Sequence, residues 1–124
     1  MTSHDATYHD GSLTLALRDT DDGVYVLWTG KSTARDPGPF ILDVLMRATE
    51  IGAASGKPLV LDFQDIGYMN SSTITPLIRV LEKAKRGQAA VRVLYRKALR
   101  WQALNFTALE VFETADKRIE IRGV

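Results

Sequence analysis

Four small polar residues form the segment of this chain best suited to chemistry: Asn70-Ser71-Ser72-Thr73. They follow a short apolar run and precede an amphipathic pattern, so we expect them where a strand passes into a helix. The first turn of a helix has unpaired N–H groups and a partial positive charge, and both favour a phosphate. A serine here is therefore a candidate phosphorylation site. Asn, Ser and Thr are also common N-caps, so plain capping explains the same residues.

Histidine and acidic side chains near the N-terminus are the other candidates for chemistry. His4, Asp5, His9 and Asp10 all carry groups that can bind metals, but we expect residues 1–10 to form a flexible tail. A metal site needs ligands in a fixed geometry, so neither a metal nor any other cofactor is predicted. Ser-His catalysis lacks an ordered base because the chain has no further histidine. We therefore predict that the protein is not an enzyme.

The composition indicates one globular domain over residues 1–124. The chain is 45% hydrophobic and 25% charged, and it has no cysteine, which excludes disulfides and thiolate metal sites. No stretch approaches the roughly 18 apolar residues of a membrane helix. The first residues also lack the apolar core of a signal peptide. We expect a cytoplasmic protein that does not insert into membranes.

The charges are unevenly distributed along the chain. Residues 1–65 carry five basic and ten acidic side chains, whereas residues 66–124 carry eleven and five. A basic patch from the second half would attract nucleic acid, but no nucleic-acid-binding motif accompanies it. We expect the opposite charges to meet across the fold or to be solvated. No nucleic-acid partner is predicted.

The elements that position the polar segment follow from hydrophobic spacing. Alternating or continuous apolar residues predict strands over 12–17, 24–28, 59–63, 91–95 and 117–122. Helical spacing predicts helices that begin near 40, 71 and 98 and end near 56, 87 and 107. The predicted order is β-β-α-β-α-β-α-β. Such alternation indicates an α/β fold with a mainly parallel sheet of about five strands and an antiparallel hairpin at its start.

The segment from the third strand into the second helix resembles a known signature. Leu59-Val60-Leu61-Asp62-Phe63 and Tyr68-Met69-Asn70-Ser71-Ser72 are similar to the STAS domains of bacterial anti-sigma factor antagonists. The resemblance extends over roughly residues 12–122, although only the segment from Leu59 to Leu81 is specific. It implies a single STAS-like domain whose helices pack mainly on one face of the sheet.

The resemblance also implies a function. In that family the first hydroxyl after an aspartate is phosphorylated, and this position corresponds to Ser71, with Ser72 as the alternative. The implied partners are an anti-sigma factor that is also a serine/threonine kinase and a PPM-type phosphatase. The implied partner-binding residues are Asn70, Ser71, Ser72, Thr73, Thr75 and Arg79.

The chain departs from the family pattern at three places. Asn70 replaces the aspartate, which preserves capping but removes a negative charge beside the serine. Thr73-Ile74-Thr75-Pro76 replaces Gly-Leu-Gly, so the surface is bulkier and a different partner is expected. Pro76 has no N–H and disfavours helical geometry at the residue before it. We therefore predict a distortion or a short 3₁₀ turn at the start of this helix, with Thr73 or Thr75 as the cap if the helix begins late.

A second function remains open. A STAS domain that is never phosphorylated would serve as a scaffold or as a small-ligand sensor in a transporter or signalling complex. Phosphate labelling by the cognate kinase distinguishes the two functions.

Overall fold

The structure, a computed structural model, describes residues 4–124. The strands are β1 (Ala6–Asp10), β2 (Leu13–Asp19), β3 (Val24–Ser32), β4 (Leu59–Asp62), β5 (Ile66–Met69), β6 (Val91–Tyr95) and β7 (Ile119–Gly123). The helices are α1 (Gly38–Ser55), α2 (Ser71–Arg86) and α3 (Arg100–Thr107), and a 3₁₀ helix (Ala108–Phe112) follows α3 directly.

The sheet is mixed, as predicted. Its strand order is β1-β2-β3-β4-β6-β7, and β5 pairs with β3 outside this path. The β1, β2 and β3 pairings are antiparallel, whereas β3, β4, β6 and β7 run parallel to their neighbours. The helical crossovers α1, α2 and α3 explain the parallel half, because parallel neighbours cannot be joined by a tight turn.

One face of the sheet carries the core. In register across it lie the buried side chains of Leu17, Val26, Leu61, Val93 and Ile121. Buried residues from α1, α2 and α3 complete the same core, so the helices pack on this face as predicted. The intervening residues along most strands are half-buried or exposed. This alternation is the period of two that identified the strands in the sequence.

Two of the seven strands in the described chain were not predicted, and the expected number of five is too low. The segment 6–10, expected to be part of a flexible tail, instead forms β1 and pairs in register with β2. Tyr8 holds it by packing against the core and beneath the guanidinium of Arg47. The first three residues of that expected tail lie outside the described chain. β5, expected to be loop, is stabilised because Ile66 and Met69 are buried.

The predicted distortion of α2 is wrong. The helix is α-helical from Ser71, with Pro76 in its second turn, and the cap is Asn70 rather than Thr73 or Thr75. Proline removes only one helical hydrogen bond, the one to the carbonyl of Ser72. Its side chain is buried, and this burial offsets part of the cost of the missing bond.

Candidate functional site

Asn70 anchors the start of α2 to the end of β3. Its backbone N–H donates to the carbonyl of Ser32 at 3.0 Å. Its side-chain Nδ2 donates to the carbonyl of Ala34 at 2.9 Å, and its Oδ1 accepts from the backbone N–H of Thr73 at 3.2 Å. Asn70 therefore acts as the N-cap of α2 and also links the start of this helix to the β3–α1 connection. An aspartate could cap in the same way but could not donate to Ala34.

Thr73 belongs to the interior of the protein. Its side chain has no exposed surface, and its Oγ1 lies 2.6 Å from Oγ of Ser32, which is also buried. The same hydroxyl donates to Oδ1 of Asn70 at 2.8 Å. Thr73 was expected to contact the partner, but the structure buries its side chain, and its hydroxyl is used in contacts with Ser32 and Asn70.

Ser71 and Ser72 occupy the first turn of α2 and are both exposed. Within the described chain neither hydroxyl forms a hydrogen bond. Thr75 and Arg79 are exposed farther along the helix. The structure thus places four of the six expected site residues on one accessible surface, while Asn70 and Thr73 support that surface from beneath.

A groove of about 380 Å³ separates the start of α2 from the β3–α1 connection. It is lined by Arg35, Asp36, Pro37, Gly38, Pro39, Leu42, Ser72, Thr75, Pro76 and Arg79. Sequence reasoning missed the contribution of the β3–α1 connection, because nothing in the local pattern of that segment indicates which helix it faces.

Gln102 supports the β4–β5 connection that leads to the site. This fully buried residue of α3 donates from Nε2 to the carbonyls of Phe63 at 2.9 Å and Ile66 at 3.2 Å. Its Oε1 accepts from the backbone N–H of Arg96 at 2.7 Å. Buried backbone groups need such partners because desolvation without a hydrogen bond is costly. No sequence signal distinguishes this glutamine from an exposed one.

Of the two N-terminal histidines, His9 lies in β1 and His4 precedes that strand. His4 pairs with Asp19 at 2.8 Å, and His9 contacts the hydroxyl of Thr14 at 3.0 Å. Among the described residues, no three metal-ligating side chains gather into a cluster. No helix of the described chain is long and apolar enough to span a bilayer.

The shifted pKa values belong to residues outside the site. Hydrogen bonds from Lys57 and then His4 lower the pKa of Asp19. Hydrogen bonds lower the pKa of Asp22, mainly from Thr20, and of Asp116, mainly from Thr114. Desolvation raises the pKa of Tyr25, and its hydrogen bond to Asp22 adds to this. None of these four residues lines the groove beside α2.

The fold has a solved counterpart. The crystal structure of an anti-sigma factor antagonist from Mycobacterium paratuberculosis matches this chain with a TM-score of 0.61. The match covers 86% of this chain and 91% of that chain at 20% sequence identity. The chain has the STAS fold of an anti-sigma factor antagonist. No protein-family model matches the sequence, and no curated protein matches it.

The STAS fold agrees with the architecture that the sequence resemblance implied. At this identity the likeness establishes the arrangement of strands and helices, and it leaves the roles of Ser71 and Ser72 as predictions. Those roles depend on the geometry of the α2 start in this chain.

Proposed function

We propose that this protein is a phosphorylation-gated interaction module of a bacterial partner-switching system, with Ser71 as the modified residue. The supporting observation is that Ser71 is exposed at the first position of a helix whose cap is already provided by Asn70. Its hydroxyl forms no hydrogen bond within the described residues, so a kinase can modify it without breaking one.

The site is well suited to a switch that operates through charge. The hydrogen bonds of Asn70 to Ser32, Ala34 and Thr73 hold the start of α2 in place. A phosphate on Ser71 adds about −1.5 to −2 charges at pH 7, and the nearby helix N–H groups favour that charge. The fold therefore persists after modification, while a partner docked on this surface must desolvate the new charge.

The partner in this proposal is an anti-sigma factor with serine/threonine kinase activity, and a PPM-type phosphatase reverses the modification in the cytoplasm. The unmodified protein binds the anti-sigma factor through Ser71, Ser72, Thr75 and Arg79. The side chain of Thr75, which is exposed where the family pattern has a glycine, adapts the surface to its own partner. The protein acts by binding and performs no catalysis.

Mass spectrometry of the protein purified from its own cells tests this proposal. We expect a phosphorylated peptide that spans Ser71, and its loss after treatment with a PPM-type phosphatase. A protein that is never phosphorylated, even when incubated with its cognate kinase and ATP, would instead be a constitutive scaffold or small-ligand sensor.

A further inference from the structure

Two guanidinium groups border the groove beside α2 without a partner among residues 4–124. Arg35, in the β3–α1 connection, and Arg79, on α2, are both exposed and both line this groove. Neither forms an ion pair or a hydrogen bond within residues 4–124. Asp36 is the one carboxylate among the lining residues. The groove therefore has an excess of positive charge and attracts anions.

Ser72 faces this groove, whereas Ser71 does not line it. Ser72, Thr75 and Arg79 follow one another along α2 at spacings of three and four residues, which places them on the same side of the helix. Ser71 lies about 100° from Ser72 around the helix axis and about 40° from Thr75, so it borders the same side of the helix but stays outside the groove lining. The two neighbouring serines thus have different electrostatic surroundings.

We propose that a phosphate on Ser72 is bound within the groove by Arg35 and Arg79. Arginine pairs with phosphate through parallel N–H···O bonds, and a phosphoserine offers three acceptor oxygens. In the modification, Oγ of Ser72 attacks the γ-phosphorus of a nucleoside triphosphate held by a kinase. The new P–O bond replaces the bond between the γ-phosphorus and the oxygen that bridges it to the β-phosphate. The nucleoside diphosphate leaves, and a base of the kinase takes the hydroxyl proton.

This inference rests on the proposed function in taking the 71–72 segment as the modified one, and it gives the two serines different outcomes. A phosphate on Ser71 lies outside the groove, where it faces the partner. A phosphate on Ser72 neutralises Arg35 and Arg79, fills the groove and joins the β3–α1 connection to α2. Phosphorylation of Ser72 therefore removes a cationic docking surface. Phosphorylation of Ser71 adds an anionic group beside a groove that remains cationic.

A ³¹P NMR titration of protein with genetically encoded phosphoserine at position 72 tests the inference. We expect the second phosphate pKa to lie at least about 0.5 unit below its usual value near 6, because two cations favour the dianion. The double substitution Arg35→Gln, Arg79→Gln should raise the phosphate pKa most of the way back to its usual value. Each single arginine substitution should raise the phosphate pKa by part of that amount. Asp36→Asn should lower the phosphate pKa further.

Phosphoserine at position 71 is the matched control. The same helix N-terminus acts on both phosphates, so the response to the double arginine substitution isolates the groove. Equal pKa values for the position-72 phosphate with and without the two arginines would overturn the inference. So would an equally large arginine response at position 71.

A salt series on protein that retains both arginines gives a second readout. Raising NaCl from about 0.05 M to about 0.5 M should raise the phosphate pKa more at position 72 than at position 71, because the arginine contribution is screened. Equal salt responses would also contradict the inference. No partner is present in either measurement. If the phosphate pKa does not respond to the arginines or to salt, the proposed partner switching is unaffected. If partner switching is disproved, the predicted pKa difference between the two phosphates still stands.

Discussion

The hydroxyls of Ser32 and Thr73 lie 2.6 Å apart inside the protein, although 41 residues separate them in sequence. This contact joins the end of β3 to the first turn of α2, directly beneath the exposed Ser71 and Ser72. The surface on which the proposed switch lies is thus supported by a buried polar pair. Five predictions concern this surface, its supports and a remote ion pair.

Substitutions at Ser71 should separate the two states of the proposed switch. Ser71→Asp should weaken binding to the anti-sigma partner at least about tenfold, since a buried unpaired charge costs more than about 1.4 kcal/mol. Ser71→Ala should bind like the unmodified protein and resist phosphorylation. Isothermal titration calorimetry measures both affinities. Ser12→Asp, on an exposed serine at the start of β2, is the control for added charge. If both Ser71 variants bound with wild-type affinity, the proposed mechanism would be wrong.

Thr73→Val should destabilise the fold by about 1–3 kcal/mol, because it keeps the shape of the side chain but leaves the buried hydroxyl of Ser32 without its partner. Ser32→Ala in the same background should cost less than it does alone, since the two hydroxyls satisfy each other. Urea denaturation of both single variants and the double variant gives the coupling energy, expected at about 0.5–3 kcal/mol. Additive losses would show that the pair does not interact.

Asn70→Ala should cost about 1–2 kcal/mol through loss of the cap alone. The carbonyl of Ala34 also loses its donor. Asn70→Asp restores the aspartate of the family pattern, and we expect an intermediate stability because the carboxylate caps Thr73 but repels that carbonyl. Thermal unfolding of the three proteins should rank them as Asn, Asp, Ala. An aspartate variant as stable as the wild type would show that the contact with Ala34 contributes nothing.

Gln102→Leu should be among the most damaging single changes, at about 2–4 kcal/mol, because it removes a donor from the buried carbonyls of Phe63 and Ile66 and the acceptor of the Arg96 N–H. Gln88→Leu is the matched control, since Gln88 is exposed. Chemical denaturation measures the loss. Hydrogen exchange should also show faster exchange in β5 for the Gln102 variant. Unchanged protection there would mean that Gln102 does not hold the β4–β5 connection.

The pKa of Asp19 predicts one pH effect, remote from the switch. Because Lys57 and His4 lower this pKa in the folded protein, the ionised carboxylate stabilises the fold above the unfolded value of 3.8. That stabilisation is lost as the pH falls through the lower folded pKa. The stability difference between wild type and Asp19→Asn should therefore be full near pH 6 and shrink below about pH 4. Asp21→Asn is the control, and a difference independent of pH would contradict the prediction.

Local pattern in the sequence was enough for much of this protein. Period-two alternation located β2, β3, β6 and β7, and helical spacing located α1, α2 and α3, because each of these elements buries one face against a shared core. The Asn70–Thr73 segment was correctly expected at a strand-to-helix junction. The resemblance to anti-sigma factor antagonists led to the STAS fold, which the structural comparison supports.

Only the tertiary structure decided which of those polar residues reach the surface. Thr73 looks like its neighbours in the sequence, but its position on the helix turns it toward Ser32, and Ser71 and Ser72 face outward. Arg35 and Arg79 line the same groove although they are distant in the chain. Gln102 likewise contacts backbone groups far from it in sequence. Such contacts depend on how helices and strands pack against one another. The local sequence around a residue does not indicate which element will pack against it.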